Sequence, residues 1–222
     1  MRERIEAISV CLADVEPKEL KWLWPNRIPT GKLTLLLGYP GVGKSLLTVY
    51  MASVITNGEC WPDVPGEPTE TGSVIMLTAE DALADTIRPR MDAAGADVNK
   101  VEMLKAIERG SDKKTGQEFF RLTGKKHLVA LRRLIKKLSD VRLIVIDPLT
   151  AYMGNSDCHK NAEVRSVLFP LCQLAEDTGV AIVCIIHPNK SDTLKAIHRA
   201  TGSAAFVEAA RAVWLVVEDK ND

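Results

Sequence analysis

The sequence predicts an α/β fold, a mostly parallel central sheet with helices on both faces. Three observations predict it. Apolar runs of strand length (Leu33–Leu37, Ser73–Thr78, 141–146 and 180–186) are largely continuous instead of alternating, as strands buried on both faces require. Stretches with helical spacing separate them, the βα alternation of a parallel sheet. A glycine-rich turn, Gly38-Tyr39-Pro40-Gly41-Val42-Gly43-Lys44-Ser45, joins the first run to the first helix. The chain has 222 residues and is 46% hydrophobic, which suits one well-buried domain better than two.

In chain order, residues 1–31 read as a lead-in packed on the core, with a short helical start and then Trp22-Leu23-Trp24-Pro25-Asn26-Arg27. Two readings stand for Trp22, Trp24 and Arg27: contact with a bound base, or capping of the sheet edge. Aromatic burial beside two prolines favours the second. Residues 32–222 form the main domain. Its first helix follows Ser45 and stops near Asn57-Gly58, and three prolines keep 60–68 irregular. After the second strand, an amphipathic helix is expected over 82–94 and a weaker third strand over 101–107. Residues 108–121 read as a loop or hairpin. Residues 128–138 have helical spacing with a basic side that reads as a solvated face. A fourth strand, a helix over 162–177, a fifth strand, a short helix and a last strand over 212–217 complete the pattern.

The turn matches G-x-x-x-x-G-K-S, and its flanks are those the motif needs. Gly41 and Gly43 let successive backbone N–H groups curl toward one anion, where a Cβ would obstruct. The helix beginning at Leu46 offers free N–H groups and its positive dipole end to the same anion. Lys44 is expected on the outer phosphates of a nucleotide and Ser45 on Mg²⁺. Gly38, Tyr39, Pro40, Gly41, Val42, Gly43, Lys44, Ser45 and Leu46 are therefore the expected nucleotide contacts, with ATP and Mg²⁺ as cofactors.

Ligands of parallel sheets lie at the carboxyl ends of the strands, and polar residues gather there. Asp147 ends the fourth strand and is the natural second Mg²⁺ contact. Glu80 ends the second strand and is placed to orient or deprotonate an attacking water, with Asp81 expected to cap the next helix. His187 ends the fifth strand. It either senses the γ-phosphate or a metal-bound water, or serves as a structural imidazole.

Lysine plus arginine and aspartate plus glutamate number 29 each, so no general basic coat is present, though a local patch or shared pore remains open. Five scattered cysteines lack metal or redox spacing, and the N-terminus lacks a signal-peptide core. No apolar run approaches membrane-spanning length. The expectation is a cytoplasmic protein with reduced thiols and no membrane partner.

Together these motifs resemble the RecA-like hexameric ATPases grouped with plasmid RepA-type replicative helicases, related more distantly to DnaB, KaiC and RadA. The resemblance spans nearly the whole chain. It rests on Trp22-Leu23-Trp24-Pro25, the phosphate loop, Gly58 with Trp61-Pro62, Ala79-Glu80-Asp81 and Arg88-Pro89-Arg90. It continues through Ile146-Asp147-Pro148, His187-Pro188-Asn189-Lys190 and Thr201-Gly202-Ser203 with Ala210-Arg211. It implies a RecA-like P-loop NTPase fold, Glu80 as the catalytic carboxylate, and Arg211 reaching the γ-phosphate of a neighbouring subunit. Read from the residues alone, Arg211 also suits a helix cap or a pair with Glu208. The resemblance further implies a homo-oligomeric, hexameric ring whose loops face single-stranded DNA. Lys190, Lys195 and Arg199 are then the expected DNA contacts. The family usually continues beyond the last strand seen here, so 32–222 is expected to lack those further strands. A DNA helicase or translocase for replication of a mobile element is the favoured expectation. An ATP-switched assembly or docking module is the alternative, and a small-molecule kinase fits less well.

Overall fold

The computed structural model describes residues 7–111, 114–187 and 204–219. The N-terminal segment holds a 3₁₀ turn at Leu12–Asp14 and a short antiparallel pair, β1 (Trp22–Trp24) and β2 (Ile28–Pro29). Then follow β3 (Leu33–Leu37), α1 (Lys44–Asn57), β4 (Ser73–Thr78), α2 (Arg88–Ala93) and β5 (Val101–Met103). A hairpin of β6 (Ala106–Ser111) and β7 (Lys114–Phe119) leads to α3 (Lys125–Leu138) and β8 (Val141–Asp147). The chain continues with α4 (Asn161–Thr178), β9 (Ala181–Ile186), α5 (Ala205–Ala209) and β10 (Ala212–Leu215).

Six strands form one parallel sheet in the order β10-β3-β9-β8-β4-β5. Alternate side chains of each central strand go to opposite layers. Leu33, Leu35, Ile75, Leu77, Ile144, Ile146 and Ile182 pack with α3, α4 and α5. Leu36, Val74, Met76, Leu143, Val145 and Val183 pack with α1 and α2. The expected sheet with helices on both faces is thus present. It aims the carboxyl ends of β3, β4, β8 and β9 at one edge of the molecule.

Three segments differ from the sequence expectation. The helix expected over 82–94 is a five-residue π-helical turn, Leu83–Ile87, followed by the short α2. Pro89 supplies the reason. Its ring would meet the carbonyl four residues back in a continuous α-helix, and the wider turn, with Ile87 N–H donating to Ala82 O at 3.0 Å, avoids that crowding. The strand expected over 101–107 divides: β5 stops at Met103, and Ile107 belongs to the hairpin that reads as one option over 108–121. The helix expected from 128 begins at Lys125, because Lys125, Lys126 and His127 carry no apolar signal although His127 is buried. Of the helical start expected before Trp22, residues 1–6 lie outside the described residues.

The lead-in packs on the sheet edge instead of facing the phosphate loop. Trp24 stacks on Trp61 with ring centres 4.3 Å apart and planes 4° from parallel, and Trp214 of β10 meets Trp24 edge-on at 5.3 Å. Asp63 accepts from Trp24 Nε1 at 2.7 Å and from Arg27 Nε at 2.6 Å. Those two hydrogen bonds hold its carboxyl below the usual range. Trp61 is 2% exposed and donates Nε1–H to Leu23 O at 2.8 Å. Trp61→Ala is expected to lower stability by about 3–5 kcal/mol in denaturant titration, since it removes a buried ring and leaves a cavity under its stacking partner.

Candidate active site at the strand ends

The turn after β3 has the conformation its sequence requires. Gly41 and Gly43 sit at φ 87° and 88°, and a Cβ at either would point into open space, so the constraint there is backbone conformation. Gly38 differs. A Cβ there would lie 2.7 Å from Val216 O, so close approach of the segment after β10 demands glycine. Lys44 is 4% exposed and spans the loop, donating Nζ–H to Tyr39 O at 2.6 Å. Burial lowers its pKa, while the charges of Asp147 and Glu80 pull it back up. An ammonium ion with carbonyl contact and distant carboxylates is well placed to receive an anion.

On the other side of the loop, Ser45 Oγ–H donates to Asp147 Oδ2 at 2.7 Å. Asp147 is buried because β8 is covered on both faces, and desolvation pushes its carboxyl upward against the Ser45 hydrogen bond. The register pairs Thr78 with Asp147, and Ala79 N–H donates to Asp147 O at 3.1 Å. That places Glu80 beside the same strand end. Its Oε2 lies 3.8 Å from His187 Nε2, and its side chain is 63% exposed. His187 Nδ1 is buried and has no hydrogen-bond partner among the described residues. Lys44, Ser45, Glu80, Asp147 and His187 therefore come from four chain segments to one place.

Asp81 does not cap the following helix. It pairs with Arg90 Nη1 at 2.8 Å, and Ala82 precedes the π turn with no side-chain cap. Arg90 was not legible as a site-ordering residue, since nothing in the sequence marks a pairing nine positions apart. The pairing leaves Glu80, and not its neighbour, facing His187. Tyr39 and Leu46 are exposed at the mouth of the loop. The loop at 153–160 is tied down: Asp157 N–H donates to Glu163 Oε2 at 2.6 Å and Lys160 pairs with Glu163 at 3.1 Å.

Arg211 is not part of this constellation. Its N–H donates to Leu33 O at 2.8 Å at the start of β10, the end of the sheet opposite the phosphate loop. About five residues of strand, or ~16 Å, separate the two ends. Its expected partner Glu208 pairs with Arg165 instead, and Arg211 is exposed with no ion pair among the described residues. The expected DNA contacts Lys190, Lys195 and Arg199 lie outside the described residues.

A parallel α/β sheet with this loop, this Ser–Asp pair and acidic groups at its strand ends defines a P-loop nucleotide-binding protein. A model of the AAA domain family matches residues 2–193, and the chain belongs to that family, a class of ATPase domains. No curated protein matches it significantly. All five cysteines are free thiols, and among the described residues no helix is long and apolar enough to cross a membrane.

The raised Asp147 pKa gives a signed prediction. The folded chain holds this proton more tightly than the unfolded chain does. Its contribution to ligand-free stability is therefore complete below the ordinary carboxylate range and is lost as pH rises through the raised value. Asp147→Asn keeps an acceptor for Ser45 without the buried charge. Its ligand-free Tm should exceed that of the parent at neutral pH, and the gap should close as pH falls.

Proposed function

We propose that the protein hydrolyses MgATP with Glu80 orienting the attacking water. We further propose that it acts as a ring-forming translocase or helicase on single-stranded DNA in replication of a mobile element. The observation that carries the first part is the Ser45–Asp147 contact beside the buried Lys44.

The donors fit magnesium. A hydroxyl and a carboxylate are hard oxygen ligands, and Mg²⁺ held with nucleotide phosphates needs few protein ligands. Ser45 and Asp147 would hold the ion, which supplies charge neutralisation at the β- and γ-phosphates. Lys44 exchanges its contact with the Tyr39 carbonyl for phosphate oxygen and stabilises charge developing there. Gly41 to Leu46 present backbone N–H groups to the same anion. Glu80 is exposed enough to meet water, and His187 Nε2 stands 3.8 Å from its carboxylate, where a γ-phosphate contact is the role proposed for it.

The DNA and ring parts rest on the resemblance of the whole motif set described above, with Arg211 for the ring and Lys190, Lys195 and Arg199 for the DNA. The exposed position of Arg211 at the far end of the sheet suits a residue that serves a neighbour's nucleotide and not its own.

Glu80→Gln should lower ATP turnover by a factor on the order of 10²–10⁴ while nucleotide binding survives. Arg211→Ala should abolish the part of the rate that rises with protein concentration. Turnover measured with and without single-stranded DNA, over a range of protein concentrations, tests the whole reading. A rate stimulated by both supports the ring motor. A Glu80-dependent rate indifferent to DNA removes the motor and leaves an ATP-switched module.

A further inference from the structure

The outer face of α3 and the hairpin beside it take no part in the chemistry above. Over its fourteen residues α3 carries six lysines and arginines and no acidic residue. At about 100° per residue all six fall on one side, while Leu131, Leu134, Ile135 and Leu138 fall on the other. Two of the six are neutralised locally: Lys126 pairs with Glu118, and Arg132 pairs with Asp177 at 2.6 Å. Lys125, Arg133, Lys136 and Lys137 are exposed and have no ion pair among the described residues. The sequence alone reads this as a solvated face. The exposure of these four agrees with that, and two structural features add to it.

The first is a groove of about 650 Å³ between α3 and β6. Ile107, Val129 and Ala130 give it an apolar floor, and Lys125, Arg133 and the Glu118-paired Lys126 line it beside the carboxylate of Glu108. The second is where the charges sit along the helix. Lys125, which has no ion pair among the described residues, occupies the first turn beside the Glu118-paired Lys126, behind Gly124, which provides no side-chain cap. Cations there oppose the helix dipole, and an anion bound at that end would relieve the repulsion.

We infer that this groove and the α3 face form a binding track for single-stranded nucleic acid, held mainly through its phosphate backbone. From Lys125 to Lys137 the cations span ~18 Å of helix, enough for several consecutive phosphates. A strand of this kind offers charge on one edge and flat, largely apolar bases on the other, which matches cationic walls over an aliphatic floor. Glu108 repels phosphate and carboxylate alike, but it can accept from base amino groups, which the side chains of an acidic peptide lack. The chain as a whole has no net charge, so this local field is what a polyanion would meet. The track goes beyond the ring reading, since it puts strand contact on each subunit's own flank and uses none of the residues of the segment 188–203.

The test uses the whole chain without nucleotide and a short, labelled single-stranded oligonucleotide, followed by fluorescence anisotropy over a salt series. Replacing Lys125, Arg133, Lys136 and Lys137 together by serine should weaken binding at least tenfold. It should also flatten the salt dependence by about 0.7 log units per log unit of salt for each phosphate that the chain no longer neutralises. DNA-free ATP turnover should not change, and exchanging the three lysines for arginine should preserve binding. Circular dichroism on each variant separates loss of binding from loss of fold. Weakened binding by the serine variant supports the track even if ATP turnover proves indifferent to DNA. Parental affinity and slope in the serine variant overturn it, and DNA-stimulated turnover would then rest on other residues. Failure of the parent chain to bind the oligonucleotide also overturns it. So does tighter, substitution-sensitive binding of polyglutamate, which would make the partner an acidic protein.

Discussion

The site depends on charge held where water is scarce. β8 is covered on both faces, so Asp147 reaches the strand end already buried, and Lys44 is buried beneath the loop across from it. Neither has the counter-charge it would have in a fully formed salt bridge. The carboxylate has a serine hydroxyl and the ammonium a backbone carbonyl. Both arrangements satisfy hydrogen bonding while leaving charge largely uncompensated, which is costly in a low-dielectric site. A nucleotide phosphate with its cation is the complement of that imbalance. The remaining architecture delivers these few groups with correct register: β4 beside β8 brings Glu80, and β9 between β3 and β8 brings His187.

Around this centre the molecule uses aromatic and ionic contacts to fix its flanks. Trp24, Trp61, Trp214 and Arg27 clamp the lead-in and the proline-rich segment onto the edge carrying β10. At the opposite edge, Phe120 packs edge-on against His127 and, with Tyr152, joins the hairpin to α3 and to the loop after β8. Burial lowers the His127 pKa more than Glu118 raises it, so this imidazole behaves as a core group. The Tyr152 hydroxyl is pushed up to about 12, chiefly by burial and secondarily by the charge of Asp147.

Legibility in the sequence follows from how local each determinant is. The sheet was readable because strands buried on both faces leave uninterrupted apolar runs, and the phosphate loop because its backbone conformation restricts residue type at fixed spacing. Asp147, Glu80 and His187 were readable as polar residues ending apolar runs. The π turn was not, since Pro89 acts on the geometry of a carbonyl four residues earlier and not on the apolar pattern. The Asp81–Arg90 pair and the Asp63–Arg27 pair arise from tertiary proximity and leave no periodic trace. The hairpin was half visible: its glycines and lysines suggest a turn, while the packing of Ile107 and of Phe120, just after β7, against the core depends on the tertiary fold.

Gly38 gives the nucleotide loop a mechanical neighbour. The first glycine of the motif is crowded most closely by the carbonyl of Val216 in the edge segment, and then by the Val42 and Lys44 side chains of the loop itself. Val216 N–H in turn donates to Leu37 O at 2.8 Å, immediately before that glycine. Loop and sheet margin therefore share one tight junction. The margin thus meets the base of the phosphate loop backbone to backbone, through one hydrogen bond and one close approach.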